Sequence, residues 1–168
     1  TRNIFDMIVA HGPTGALLNR FFPPSWRNTR GFWLTILGSI TPDFDLLFVI
    51  LGLFDGSHRV LPTHTPFFWL IAWVIFWVIF RMKRKNDLYL VHCFFIGTLI
   101  HIALDIPTGI LVLWPFSMQE FILFPEVYTP LLSSREHFLH PYVIADLGLC
   151  LLGSLTIGLR IVRKVLSR

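Results

Sequence analysis

Long apolar runs, interrupted by very few charges, constrain this chain more than any other feature of its sequence. Because a helix needs about 20 apolar residues to cross the hydrocarbon core of a bilayer, such runs are typical of transmembrane helices. Hydrophobic residues make up 54% of the chain and charged residues only 14%, too few to cover the surface of a soluble monomer. The candidate spans are Gly31–Phe54, Phe67–Phe80, Leu88–Leu104 and Tyr142–Leu159. The sequence therefore predicts an integral membrane protein.

The arrangement of these runs predicts an all-α fold, an integral membrane helical bundle of about four transmembrane helices in a single domain, residues 1–168. A further amphipathic helix, roughly Ile4–Phe22, carries His11 in its middle, and we expect it to be interfacial or half-inserted. The basic residues do not follow one polar face, which argues against a nucleic-acid partner. Cys93 and Cys150 lie inside apolar runs, which indicates buried thiols and not a disulfide.

Lysine and arginine are concentrated in alternate segments of the chain, which predicts its orientation. They are Arg20, Arg27, Arg30, Arg81, Lys83, Arg84, Lys85, Arg160, Arg163, Lys164 and Arg168, whereas Arg59 and Arg135 fall in the other two loops. Since basic residues favour the cytoplasmic side, both termini are expected in the cytoplasm and loops 55–66 and 106–141 outside. Loop 106–141 is rich in aromatic and aliphatic residues, so we expect it to lie in the outer interface among membrane lipids.

Polar residues inside the apolar runs point to a metal site. His101 and Asp105 are four residues apart, so both side chains leave one face of a helix. An imidazole nitrogen and a carboxylate oxygen in this arrangement suit a shared divalent metal. The alternative is a His–Asp hydrogen bond that only satisfies two buried polar groups.

The segment Pro42-Asp43-Phe44-Asp45 interrupts the first candidate span. Two carboxylates in an apolar stretch repel each other unless a cation neutralises them, so Asp43 and Asp45 are candidates for the same site. The alternative is a helix start with Thr41 as N-cap, Pro42 in the first turn and acidic residues favoured by the helix dipole. The two interpretations are compatible, because a helix start holds a carboxylate rigidly.

The remaining candidate ligands are histidines. His58 and His64 flank a short proline-containing loop, and His11 lies in the first helix. Each of these three histidines alone is weak evidence for a metal site, since loop histidines are commonly exposed. His92 is taken as structural. Together with Asp43, Asp45, His101 and Asp105, however, they are many ligand-type groups for a chain with so few polar residues, and more than four ligands suggest two or more metal ions. The roles of His137, His140 and Asp146 stay open.

The order of these motifs resembles the YdjM-type family of bacterial inner-membrane proteins, described as membrane-bound metal-dependent hydrolases. The matching segments are Ala10-His11-Gly12, Pro42-Asp43-Phe44-Asp45, His58-Arg59, Thr63-His64-Thr65, Gly97…His101…Asp105, Thr108-Gly109 and Trp114-Pro115-Phe116-Ser117. One residue more than is usual for the family separates His58 from His64. The resemblance, which extends remotely to zinc-dependent phospholipases C and S1/P1-type nucleases, implies an inner-membrane location, clustered zinc ions and Asp43 as a ligand.

Taken together, residues and resemblance predict a membrane-bound zinc-dependent hydrolase with His11, Asp43, His58, His64, His101 and Asp105 as metal ligands. A metal-activated water would cleave a phosphoester or other ester of a lipid-like substrate. Asp45 would orient that water as a base or serve as a further ligand, and Arg59 would hold a phosphate oxygen unless it is an interfacial snorkelling arginine.

Two other classes of protein remain open at this point. A metal or proton transporter would place polar residues in both halves of the bilayer, and a membrane scaffold with a structural metal site would close the ion with protein ligands. A hydrolase needs an open coordination position. The candidate ligands gather toward one side, apart from His11, which favours a hydrolase or a structural site.

Overall fold

A computed structural model of the protein describes residues 8–124 and 139–167 and is built from helices. The α-helices are α1 Ile8–Leu18, α2 Thr29–Ile40, α3 Leu46–Ile50, α4 Pro66–Lys83, α5 Leu88–Asp105 and α6 Pro141–Leu166. Within the described residues, β structure is limited to one isolated bridge between Ile110 and Phe121. The predicted all-α membrane bundle is confirmed.

Three helices, α4, α5 and α6, are each long and apolar enough to cross a membrane. The fourth predicted span is broken: α2 and the segment Pro42–Ile50 meet at an angle of 43°. The break falls where the sequence predicts an interruption, because Pro42 lacks the amide hydrogen that would continue the α2 hydrogen-bond ladder. Large apolar side chains on α4 and α6 are exposed, as expected of surfaces that face lipid.

The first helix is inserted into the bundle. Ala10, His11 and Ala16 on α1 are buried, and the helix packs against α2, α5 and α6. The eleven described residues of α1 rise only about 16 Å, roughly half of the hydrocarbon thickness. The helix is therefore packed among the other helices and too short to span the membrane alone, and its predicted interfacial or half-inserted placement stays a prediction.

Close packing of α2 against α5 depends on two glycines. A β-carbon on Gly38 would overlap the backbone of Phe94 on α5, and one on Gly97 would overlap the carbonyl of Thr35 on α2. Small residues at a crossing let helix backbones approach closely, and in a bilayer this packing replaces the hydrophobic effect as the driving force. The crossing brings the C-terminal end of α2 beside His101 of α5.

Basic residues gather at the end of the bundle opposite to this crossing. Arg160 near the end of α6 donates to the carbonyl of Arg27 at 2.8 Å, and Arg27 donates to the carbonyl of Arg20 at 3.4 Å. Asn28 before α2 donates to the hydroxyl of Tyr89 at the start of α5. The first turn of α1 lies at the other end of the bundle. Because residues 1–7 are outside the described part, the cytoplasmic location of both termini stays a prediction.

Substituting Gly38 by alanine tests the packing of α2 on α5. Gly38→Ala should lower the free energy of unfolding by about 1–3 kcal/mol, because the new methyl group overlaps the Phe94 backbone. Gly158→Ala on α6 is the matched control: open space surrounds its β-carbon, so helix propensity alone should stabilise the protein by up to about 1 kcal/mol. Thermal unfolding of both variants in detergent measures the difference. Equal melting temperatures would contradict this packing.

Candidate metal centre

The predicted ligands converge at the end of the bundle away from the basic residues. They come from α1 (His11), the 3-10 turn Pro42–Asp45 (Asp43, Asp45), the 3-10 turns His58–Val60 and Pro62–His64 (His58, His64), and α5 (His101, Asp105). Asp43 and His58, with 9% and 17% of their side chains exposed, are the more accessible members, and the others are buried. All of the residues singled out from the sequence as ligands therefore lie in one cluster.

Local backbone structure presents the two acidic residues. Pro42 occupies the first position of a 3-10 turn that follows α2 directly, as the sequence predicts. Thr41 occupies the N-cap position, but its side chain makes no capping hydrogen bond, because its hydroxyl donates to the carbonyl of Leu37 one turn earlier. The predicted helix start is therefore confirmed in its positions, and the turn directs both carboxylates toward the cluster.

Three histidines of the cluster share one hydrogen-bonding arrangement. His101 Nδ1 donates to the carbonyl oxygen of Ser39 at 2.8 Å, His64 Nδ1 to Asp45 Oδ2 at 3.0 Å and His11 Nδ1 to Asp43 Oδ2 at 3.3 Å. Since a carbonyl or carboxylate oxygen can only accept, each neutral ring carries its proton on Nδ1. Each Nε2 then presents a lone pair to the centre of the cluster, which is the tautomer of a metal-bound histidine.

Four ligand atoms lie at the separations of a tetrahedral metal site. The atoms are His64 Nε2, His101 Nε2, Asp43 Oδ1 and Asp105 Oδ2. Five of the six distances between them range from 3.1 to 3.6 Å. A tetrahedral ion bound at about 2.0–2.1 Å requires separations of about 3.3–3.4 Å. The cluster therefore has the size of a first coordination shell.

Buried polar atoms without hydrogen bonds support the same fit. Three buried atoms have no hydrogen-bond partner in the described part of the chain: both carboxylate oxygens of Asp105, and His11 Nε2. Asp105 Oδ2 faces the first set of atoms, and its Oδ1 lies 3.7 Å from His11 Nε2. Unsatisfied atoms in such a buried place are costly unless a cation binds them. His11, His101 and Asp105 also form a second group of ligand atoms within metal-binding reach, so the two carboxylate oxygens could serve two ions.

Asp45 holds His64 in place. Its Oδ2 accepts hydrogen bonds from His64 Nδ1 and from the hydroxyl of Thr63, whereas its Oδ1 is buried with no hydrogen-bond partner among the described residues. A carboxylate behind a histidine fixes the ring orientation and raises its basicity. His58 lies at the accessible edge, with Nε2 3.6 Å from Asp43 Oδ1, and groups with Asp45 and His64 as further possible ligands.

Arg59 is buried beside the cluster and does not snorkel to the interface. Its Nη1 donates to the hydroxyl of Thr108 at 2.8 Å, and its Nε lies 3.5 Å from Asp105 Oδ1. Thr108 in turn donates to the carbonyl of Asp105 at 2.9 Å. The guanidinium is thereby held next to the carboxylate that faces both groups of ligand atoms.

The charges of the cluster favour a bound cation. Among the described residues, the cluster contains three carboxylates, Asp43, Asp45 and Asp105, and one arginine, Arg59, which lies beside Asp105. Burial alone would lower the pKa of His64, but its contacts with Asp43 and Asp45 outweigh burial and raise the pKa to about 9. The negative surroundings therefore favour either a proton or a metal ion at this imidazole.

Polar residues outside the predicted ligand set differ in their distance from the cluster: His92 and His140 have contacts of their own, whereas Asp146 is close enough to interact electrostatically with His11 and Asp105. His92 accepts from Trp73 at 3.3 Å and stacks on Trp26, which agrees with a structural role. His140 caps α6 through the Tyr142 amide, and His137 lies outside the described residues. Asp146 on α6 has a buried Oδ1 without a hydrogen-bond partner in the described chain.

Sequence analysis missed the groups that orient the ligands. The carbonyl of Ser39 and the hydroxyls of Thr63 and Thr108 hold His101, Asp45 and Arg59. Serine and threonine are common in helices and turns, so only the tertiary contacts distinguish these three.

Fold and site together define a helical membrane protein with a buried histidine–aspartate centre that could hold a metal ion. A family model described as YdjM inner membrane protein matches residues 7–164. The chain therefore belongs to the YdjM inner membrane protein family. No curated protein and no solved structure matches it significantly.

Removing an inward-facing imidazole tests the metal centre. His64→Ala and His101→Ala should each weaken zinc binding by more than about 100-fold, because changes even to the outer hydrogen-bond partners of metal ligands cost about 10–100-fold. Zinc per chain, measured by plasma emission spectrometry after dialysis against a metal buffer, reports the loss.

His92→Ala is the matched control, since it removes a histidine from the same helix as His101 but outside the cluster. It should keep the zinc content of the unmodified protein. If the three variants retain equal zinc, the cluster does not bind the metal.

Proposed function

We propose that this protein is a membrane-bound, zinc-dependent hydrolase that cleaves a phosphoester or other ester of a lipid-like substrate, in the manner of a phospholipase C. The observation that carries the proposal is the convergence of inward-facing imidazole nitrogens, at tetrahedral separations, on a buried carboxylate whose oxygens accept no hydrogen bond within the described residues. Mixed imidazole and carboxylate ligands in this geometry suit zinc better than magnesium or calcium, which prefer more oxygen ligands.

Hydrolysis, and not only structural metal binding, is supported by the surplus of ligand atoms. Asp105 and His11 offer atoms for a second ion beyond the four of the tetrahedral set. A second ion there would have fewer protein ligands and hence an open position, as catalytic sites require. When bound, such ions lower the pKa of a water molecule toward neutrality and polarise the ester.

Residues around the ligands have suitable positions for the remaining chemistry. Asp45 Oδ1 is the proposed base, because it is buried and has no hydrogen-bond partner in the described structure, while Oδ2 accepts from His64. Arg59 is the proposed phosphate ligand, since its planar guanidinium lies at the same carboxylate as the ligand histidines. Asp43 and His58 form the accessible edge through which a substrate would approach.

A lipid-like substrate is supported by the apolar surface around this end of the bundle. Aromatic and aliphatic side chains of the segments after Asp43 and after Thr108 are largely exposed: Phe44, Leu47, Phe48, Leu113, Phe116 and Met118. Phe116, 82% exposed, packs its ring edge on Phe67 at the start of α4. Exposed aromatic residues of this kind are typical of membrane interfaces, where ester and phosphate groups of lipids lie.

Transport is less well supported than hydrolysis. Between the cluster and the basic end, the buried polar side chains among the described residues include Thr14, Asn19, Thr35 and Thr98. The threonine hydroxyls donate to carbonyls of their own helices, and none of the four can take up a proton or strongly bind a metal. His92 and Cys93 on α5 are ligand-type groups in this part of the bundle, but they are neighbours in the sequence and do not form a continuous path from the cluster.

Asp45→Asn separates the proposed base from a ligand-orienting role. Asparagine keeps the shape and can still accept a hydrogen bond from His64, but it cannot accept a proton. If Asp45 is the base, turnover of a chromogenic phosphodiester or short-chain phospholipid should fall by about 10²–10⁴-fold with zinc content and melting temperature retained.

Two further results discriminate the alternatives. A zinc affinity lower by about 10–100-fold, together with lower thermal stability, would show that Asp45 only orients His64. Full activity in Asp45→Asn would refute the base role. Absence of turnover on all esters by the zinc-loaded, unmodified protein would favour a structural metal site.

A further inference from the structure

A cavity of about 540 Å³ lies at the basic end of the bundle, remote from the metal centre. It is bounded by the C-terminal end of α1, the start of α2 and the last turns of α6. Its lining residues are Leu17, Asn19, Arg20, Phe21, Arg27, Phe32, Thr156, Leu159, Arg160 and Arg163. The volume is within the range of small-molecule sites in proteins.

Four arginines around this cavity have no acidic counterpart. None of Arg20, Arg27, Arg160 and Arg163 forms an ion pair with a carboxylate in the part of the chain that the structure describes. Arg160 is fixed, with its guanidinium 4.2 Å above the ring of Phe32 and one nitrogen donating to the Arg27 carbonyl. Converging positive charges repel each other, so an anion in the cavity would stabilise this arrangement.

The apolar surroundings indicate that the anion carries a hydrocarbon chain. A second cavity of about 600 Å³ continues along α2 and α6 and shares Phe32, Arg160 and Arg163 with the first. Its other walls are the apolar, exposed side chains of Trp33, Ile161 and Val165 and the polar ones of Thr29, Lys164 and Ser167. Basic residues beside apolar walls match a phosphate head group and the first part of its acyl chain.

We propose that these joined cavities bind one anionic phospholipid from the leaflet at the basic end of the bundle. The phosphate lies among the four arginines, which donate charge-assisted hydrogen bonds to its oxygens, and an acyl chain follows the channel between α2 and α6. This site differs from the metal centre in position and chemistry, so neither depends on the other.

Native mass spectrometry of the full-length chain in detergent tests the site with defined lipids. The protein should retain dioleoylphosphatidylglycerol, bind dioleoylphosphatidylcholine much more weakly, and keep the anionic lipid in millimolar inorganic phosphate. Arg20→Gln with Arg163→Gln should weaken phosphatidylglycerol binding by about 25-fold, at about fivefold for each arginine removed. Both side chains are exposed and donate no hydrogen bond to the residues that the structure describes, so the fold should be retained.

Lys83→Gln with Arg84→Gln is the matched control, because it removes the same charge from the same end but outside both cavities. It should bind the lipid as the unmodified protein does. Should the double variant unfold, Arg163→Gln alone carries the test with an expected loss of about fivefold. Equal binding of the two lipids, an equal loss in the control, or displacement by inorganic phosphate would each overturn the proposal.

Discussion

The buried imidazole nitrogens of His64 and His101, 3.2 Å apart, are the constraint on which the rest of this structure depends. Each ring donates its Nδ1 hydrogen outward, so two lone pairs face each other and the carboxylate of Asp105, whose oxygens accept no hydrogen bond within the described residues. In a bilayer protein such an arrangement is costly without a cation, because water is excluded and the local dielectric is low. A positive charge at this point accounts for the choice of ligands and of their supporting groups.

The helix packing is organised around the same point. Glycines at the crossing of α2 and α5 let the Ser39 carbonyl reach His101, and glycines also line the contacts of α1, where Gly15 lies against Ser39. On α6, a β-carbon at Gly153 would overlap the backbone of Pro13, which lies two residues after His11 on α1. Small residues thus bring short and long helices close enough for ligands from five separate segments to meet.

The sequence predicted the spans and the residues that the structure brings together in one cluster, because both depend on residue type; that these residues bind a metal stays a prediction. Apolar runs indicate transmembrane helices, and polar residues inside them indicate a functional site, however the helices pack. The sequence left the packing of α1 and the burial of Arg59 undecided, and it did not show that the Thr41 hydroxyl donates to Leu37 and leaves the turn uncapped by its side chain, since these features depend on which groups are nearby. His11 illustrates the limit: its residue type suggested a ligand, but only the packing of α1 among α2, α5 and α6 explains how it reaches the cluster.

X-ray absorption spectroscopy at the zinc edge, on the purified chain loaded with zinc, tests the central claim most directly. The account predicts nitrogen and oxygen neighbours at about 2.0–2.1 Å, with the outer-shell scattering of at least two imidazole rings. His64→Ala should reduce the imidazole contribution or abolish binding. A zinc shell of water oxygens without imidazole scattering, or one with sulfur at about 2.3 Å, would contradict the account.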